Sequence, residues 1–259
     1  AFLAPMSGVT DVVMRRISAR FGAGLVVSEM IASDELVRGS EEARLRAEGS
    51  GVTPHVVQLA GCEARWLAEA AQVAEASGAE IVDINMGCPA KKVVGGWAGS
   101  ALMRDLDHAI GLVEAVVAAV KVPVTVKMRL GWDDASRNAP ELARRAVAAG
   151  AAAITVHGRT RQQFYKGVAD WAAIAPVRAA GAFPLVANGD IATAAQARDC
   201  LEQSGADYVM IGRAALGRPW LPGQIGAILA GREPEAIAVE TKAELAREHY
   251  EGLLSLMGR

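Results

Sequence analysis

Residues 105–130 read DLDHAIGLVEAVVAAVKVPVTVKMRL, and the two periods in that stretch decide the fold. Leu106, Ile110, Val113, Val117 and Val120 step by four, three, four and three, which lines one face of a helix. Asp105 and Asp107 stand at its start, where acids complement the exposed N–H groups, and Pro123 closes it. Beyond the proline the period drops to two. Val124, Val126, Met128 and Leu130 take one face of a strand, and Thr125, Lys127 and Arg129 take the other. Working outward, eight strand-like runs begin near Ala1, Leu25, His55, Ile81, Val124, Ala153, Leu185 and Tyr208. Strands alternating with helices imply a parallel sheet, and eight such units imply an α/β fold closed as a (β/α)8 TIM barrel. An open doubly wound sheet is the competing arrangement.

The chain of 259 residues is 52% hydrophobic and 22% charged, enough to bury a sizeable core as one barrel domain over residues 1–235. No apolar run of about 18 residues is present, so no membrane span is expected. Cys62, Cys88 and Cys200 are far apart and form no CxxC pair, which argues against structural zinc or a disulfide framework and for a reducing cytoplasm. The net charge of −2 argues against a surface coated with cations but leaves room for a local basic patch.

Several strands share the alternation. Thr155, His157 and Arg159 lie opposite Ile154 and Val156; Gln58 lies opposite Val57 and Leu59; Asp83 and Asn85 lie opposite Val82 and Ile84. In a barrel one face of each strand meets the helices and the other the interior. The apolar sets belong under the helices, so Gln58, Asn85, Lys127, Arg129, His157, Arg159 and Asn188 gather toward the mouth. Burying that much polarity is costly without a polar ligand to satisfy it. After the seventh and eighth strands come Asn188-Gly189-Asp190 and Gly212-Arg213, loops that in such barrels commonly bind phosphate through backbone N–H groups. Cys88 sits between Gly87 and Pro89 on the turn that ends the fourth strand. It is either a ligand-facing thiol or a buried small hydrophobe.

The motifs Ala4-Pro5-Met6-Ser7-Gly8-Val9-Thr10-Asp11, Val57-Gln58-Leu59-Ala60-Gly61, Asp83-Ile84-Asn85-Met86-Gly87-Cys88-Pro89, Lys127-Met128-Arg129, His157-Gly158-Arg159-Thr160-Arg161, Asn188-Gly189-Asp190-Ile191 and Ile211-Gly212-Arg213 run in order from the first strand to the eighth. With them the chain resembles the tRNA-dihydrouridine synthases, most of all their bacterial B-type branch. That resemblance implies an FMN enzyme that reduces uridines in tRNA with NADPH or NADH as hydride donor. It makes Pro5, Met6 and Ser7 backbone neighbours of the flavin. Gln58 and Lys127 would bond the ring's polar edge with His157 close by, and Asn188, Gly189, Asp190, Gly212 and Arg213 would hold the phosphate. Cys88 would be the catalytic proton donor, with Asn85 and Arg159 against the uracil. It implies no metal. It also implies that residues 236–259, helix-like from Thr241 to Met257, begin a truncated helical tRNA-binding domain. A cytoplasmic monomer is expected.

An unperturbed thiol pKa of about 8.5 keeps Cys88 protonated near neutrality, which suits a general acid. Lys91 or Lys92 beside the sulfur would favour thiolate instead, so these lysines are expected to face RNA phosphates. Lys91, Lys92, Arg129, Arg159, Arg161 and Lys166 give the mouth its basic charge, with Lys91 and Arg129 as substrate contacts. Trp97, in a long loop after the fourth strand, offers either a stacking face or a rim anchor. Two other functions compete: an FMN barrel dehydrogenase of a free small molecule, of the dihydroorotate type, and a catalytically idle RNA-binding flavoprotein.

Overall fold

The computed structural model describes residues 1–256 and 258, so Met257, the last residue of the expected terminal helix, lies outside the described residues. Eight parallel strands appear where alternation places them: β1 Phe2–Leu3, β2 Val27–Ala32, β3 Val56–Ala60, β4 Ile81–Met86, β5 Val124–Arg129, β6 Ala153–His157, β7 Leu185–Asn188 and β8 Tyr208–Ile211. Their order is β1-β8-β7-β6-β5-β4-β3-β2, each neighbour parallel to the next. A lone bridge from Leu3 to Val26 joins β1 to β2 and nearly closes the barrel.

The helix Leu106–Ala119 starts as read, with Asp105 accepting from the His108 N–H at 3.0 Å. Its buried stripe is Ala109, Ile110, Leu112, Val113 and Val116, while Leu106, Val117 and Val120 flank it half-buried. The helix is apolar over most of its surface, and its neighbours are the helices on either side. The helix Ala64–Ala76 buries Leu67, Ala70, Ala71 and Ala74. Removing a buried leucine such as Leu112 or Leu67 costs about 2–5 kcal/mol.

Inside the barrel, Val27, Val56, Val186 and Met210 form a separate apolar cluster with Phe2 and Ile81 packed on it. Val56, Ile81 and Val186 lie two residues before Gln58, Asp83 and Asn188, so the interior changes from apolar to polar toward the strand C-termini. The one irregularity is in β2. Val27 pairs with Val56 but Met30 pairs with Gln58, so three steps on one strand match two on the other. This bulge turns Met30 into the barrel and Glu29 out toward Arg46, 3.5 Å away. No described helix is long and apolar enough to cross a membrane.

Candidate active site

A cavity of about 790 Å³ opens at the C-terminal ends of the strands. Pro5, Met6, Ser7, Gln58, Asn85, Cys88, Lys127, Arg129, His157, Asn188, Gly189, Asp190, Gly212 and Arg213 all line it. Two chains of hydrogen bonds organise its walls.

The first begins on Asp83. Thr125 and the Gln58 Nε2 (2.6 Å) donate to its carboxylate. The Gln58 Oε1 accepts from the Asn85 Nδ2 at 2.7 Å, and the Asn85 Oδ1 accepts the N–H groups of Gly87 and Cys88 at 3.1 and 2.9 Å. A carboxylate at one end and two N–H donors at the other leave each amide one orientation. Burial pushes the Asp83 pKa up, against the pull of those bonds and of Lys127. Gln58 and Asn85 are thus buried supports that pass a fixed geometry from the middle of the barrel to the Cys88 turn.

The turn is tied elsewhere too. Ser100 donates to the Cys88 carbonyl from its N–H (3.1 Å) and hydroxyl (2.9 Å), and the Arg129 Nε donates to the Gly87 carbonyl at 2.8 Å. Gly99 has φ +60°, and a Cβ there would meet the Cys88 carbonyl oxygen at 2.8 Å, so only glycine admits this approach. Burial raises the Cys88 pKa, with the Ala90 N–H, Arg129 and Lys127 pulling the other way. The thiol keeps its proton at neutral pH. Lys91 and Lys92 are exposed on the short helix Lys91–Gly95, and neither acts on the sulfur.

The second chain begins on the Met210 carbonyl, which takes the Asn188 Nδ2 at 2.8 Å. This fixes the Asn188 Oδ1 as acceptor for the Lys127 Nζ (3.2 Å) and the His157 Nδ1 (2.8 Å). Burial, then Lys127 and Arg129, hold the His157 pKa well below its ordinary value, so the ring is neutral. Its proton sits on Nδ1, and Nε2 accepts from Arg159 at 3.4 Å. Burial and Arg129 bring Lys127 down to about 8, still a cation at pH 7.

Some expected contacts are corrected. Arg159 does not line the cavity: it is 1% exposed and spent on Asp190 and the carbonyls of Lys166 and Gly167. Asp190 lines the cavity, and its carboxylate accepts from Arg159, Arg213 (3.0 Å) and the Ala169 N–H (2.8 Å). Burial works upward on its pKa, but these partners outweigh it and hold it down. Its role is to aim Arg213. Lys91 stands outside the cavity wall. The expected loop after β4 is the helix Lys91–Gly95 followed by a 3-10 helix, Gly99–Arg104. The terminal helix starts at Val239, two residues before the expected Thr241.

Sequence reading missed Met30, which the β2 bulge turns inward, and the aromatic pair Phe164–Tyr165 at the mouth. Tyr165 lies between the guanidinium groups of Arg129 and Arg213, 5.6 and 5.0 Å from its ring centre. An aromatic doublet beside Arg161 and Lys166 was the available signal.

The donor set suits a phosphorylated aromatic cofactor. Lys127 and Arg213 supply cations. Gly189, at φ +125°, offers bare backbone where a Cβ would meet Ala169 at 2.7 Å. The chain resembles solved barrels in fold: morphinone reductase in complex with tetrahydroNAD (TM-score 0.60, 16% identity, 93% of this chain and 89% of that one) and a 2-naphthoyl-CoA reductase (TM-score 0.64, 13% identity, 89% and 47%). A "Probable tRNA-dihydrouridine synthase" of Rhizobium leguminosarum bv. phaseoli is 58% identical over 256 residues, 99% of this chain and 79% of that protein. "tRNA-dihydrouridine synthase B" of Xanthomonas axonopodis pv. citri is 49% identical over 261 residues, 99% and 78%. The family model described as dihydrouridine synthase matches residues 2–259, and the chain belongs to that family.

Proposed function

We propose that the protein reduces the C5=C6 bond of uridines in tRNA, with FMN in the barrel cavity and NADPH or NADH as reductant. The observation that carries this reading is a half-buried thiol, still protonated, on a turn whose backbone is held by five hydrogen bonds, in the wall of a cavity whose other walls present Lys127 and Arg213. Relatives named for this activity, 49–58% identical across nearly the whole chain, support it.

Pro5, Met6 and Ser7 would lie along the cofactor, Arg213 and the backbone of Gly189 and Gly212 would hold its phosphate, and Gln58, Lys127 and Asn188 would meet the polar edge of its ring. When bound there, FMN would supply the hydride that adds at C6 of the uracil. The Cys88 Sγ–H supplies the proton to C5, and the thiolate left behind regains a proton from solvent. Lys127 places a positive charge where electron density accumulates. Neutral His157 offers no competing acid; its Nδ1 proton is committed to Asn188. Arg129 ties the carbonyl before Cys88 and keeps the turn from swinging away. A uridine stacked in folded RNA must be extruded to enter.

Residues 1–235 form the catalytic barrel in this reading, and residues 236–259 begin a tRNA-gripping helical domain. In support, the helix Val239–Leu256 docks on Val12–Arg20 through Arg20–Glu248 (2.7 Å) and Asp11–His249 (2.9 Å) and leaves most of its surface exposed. Free Cys62, Cys88 and Cys200 suit a reducing cytoplasm; in this reading the protein acts as a monomer.

Replacing Cys88 by alanine tests the assignment. FMN should stay bound and reducible by NADPH, while dihydrouridine formation in tRNA falls by about 10²–10⁴. A variant that reduces uridine at the wild-type rate would overturn it.

A further inference from the structure

A rib of alternating rings and guanidinium groups crosses the barrel rim beside the Cys88 turn. The Arg104 guanidinium lies 5.4 Å from the ring centre of Trp97 and 4.9 Å from that of Trp132, and Arg161 lies 4.9 Å from Trp132. These residues come from the segments after β4, β5 and β6. The last two segments are sewn together, because the N–H groups of Arg161 and Gln162 donate to the carbonyls of Gly131 and Trp132, each at 2.9 Å. At the other end, Trp97 is two residues before Gly99 and three before Ser100, the pair packed on the Cys88 carbonyl. The rib is therefore fixed in register with the catalytic turn.

Trp97 is 63% exposed and holds φ +57°, a conformation that bulky side chains rarely adopt. A rim anchor would be buried, and a ring in this backbone state without burial gains little for the fold. Arg104 braces it instead. The charges nearby favour an anion. Lys91 and Lys92 are exposed on the helix just before it. The acids near the rib are occupied: Asp134 pairs with Arg137, Asp133 accepts from Ser136, and Asp105 caps the helix at His108.

We propose that Trp97, braced by Arg104, is a stacking platform for an unpaired RNA base near the extruded uridine, with Lys91 and Lys92 against the adjoining phosphates. Every base has a face to stack, so the platform contributes affinity without reading sequence. This inference rests on the tRNA reading above.

The test uses the FMN-loaded protein and labelled, unmodified tRNA, with Kd read by fluorescence anisotropy. Trp97→Leu keeps an apolar side chain but removes the ring, and should raise Kd about tenfold. Trp97→Phe should stay within about threefold, and Arg104→Gln, which removes the brace, should fall between them. A Trp97→Leu protein that binds tRNA as tightly as wild type would overturn the platform. Wild-type protein that binds tRNA but forms no dihydrouridine would overturn the functional reading instead, so the two failures are separable.

Discussion

Asn85→Ala cuts the first hydrogen-bond chain at its most connected link. It leaves the Gln58 Oε1 buried with no donor and frees the N–H groups of Gly87 and Cys88, which lie partly within reach of water. A buried polar group left unpaired costs about 1–3 kcal/mol. With Gln58 at that cost and each N–H at roughly half, the loss is about 2–6 kcal/mol. For a chain of this size each kcal/mol lowers Tm by about 2–4 °C, so a drop of roughly 4–24 °C is expected. The Cys88 turn also loses its tether, and a displacement of about 1 Å at a reacting group costs roughly 10²-fold in rate. Asn85→Asp separates the two effects. Its carboxylate still accepts both turn N–H groups but confronts the Gln58 Oε1, whose amide cannot flip because Asp83 holds the Nε2. Asp should therefore recover more of the rate than of the stability. Thermal unfolding and single-turnover uridine reduction read both quantities. An Asn85→Ala protein that melts within about 1 °C of wild type and turns over normally would refute the chain as a positioning device.

Lys127, brought down to about 8 by burial and Arg129, gives a pH test. FMN affinity, followed by quenching of flavin fluorescence, should weaken by roughly tenfold from pH 7 to 9.5 as the cation is lost. Lys127→Gln should flatten that dependence. Cys88, raised above the ordinary thiol range, should contribute no falling limb near neutral pH. Asp190→Ala strands the charge of buried Arg159, at a cost of about 3–5 kcal/mol, and frees Arg213; equilibrium denaturation and FMN affinity should both register it. The docked terminal helix carries its own signature. His249, raised by its bond to Asp11, stabilises fully below its ordinary 6.5, and the contribution fades as pH rises through the raised value. Burial pushes Asp11 up, but His249 and the N–H groups of Met14 and Val13 outweigh it, so its contribution is present above its ordinary 3.8 and fades in acid. The stability gap between wild type and His249→Gln, measured by thermal melting, should be widest between those limits and close above them.

Strand periodicity exposed the barrel and half of its site for one reason. Gln58, Asn85, Lys127, His157 and Asn188 lie on regular strands, where parity alone decides which way a side chain points. Parity stops where a strand stops. Arg159 lies two residues past the end of β6, and its side chain turns back to Asp190 and two loop carbonyls, a geometry no alternation encodes. Met30 was hidden by the inserted residue in β2, which reverses parity without a marker such as glycine. Asp11 and His249 are 238 positions apart and meet only because the chain's ends converge. Ser100 and Gly99 look like ordinary small residues until the Cys88 carbonyl is laid against them.

The lone bridge between β1 and β2 bears on how the barrel assembles. β1 pairs with β8 across more than two hundred residues of chain, so the closing contacts are the least local in the fold and the slowest to gather. The cavity is lined from both edges of this seam and from beyond it, by Met6, Met30 and Gly212. A molecule seated there spans the weakest joint, and it binds only after the ring has shut. Occupancy then acts as a latch, whose grip grows with the logarithm of ligand concentration over Kd. Amide exchange along Phe2–Leu3 and Val26–Val27 would slow when the latch engages, while β4 to β6, each paired on both sides, would scarcely notice.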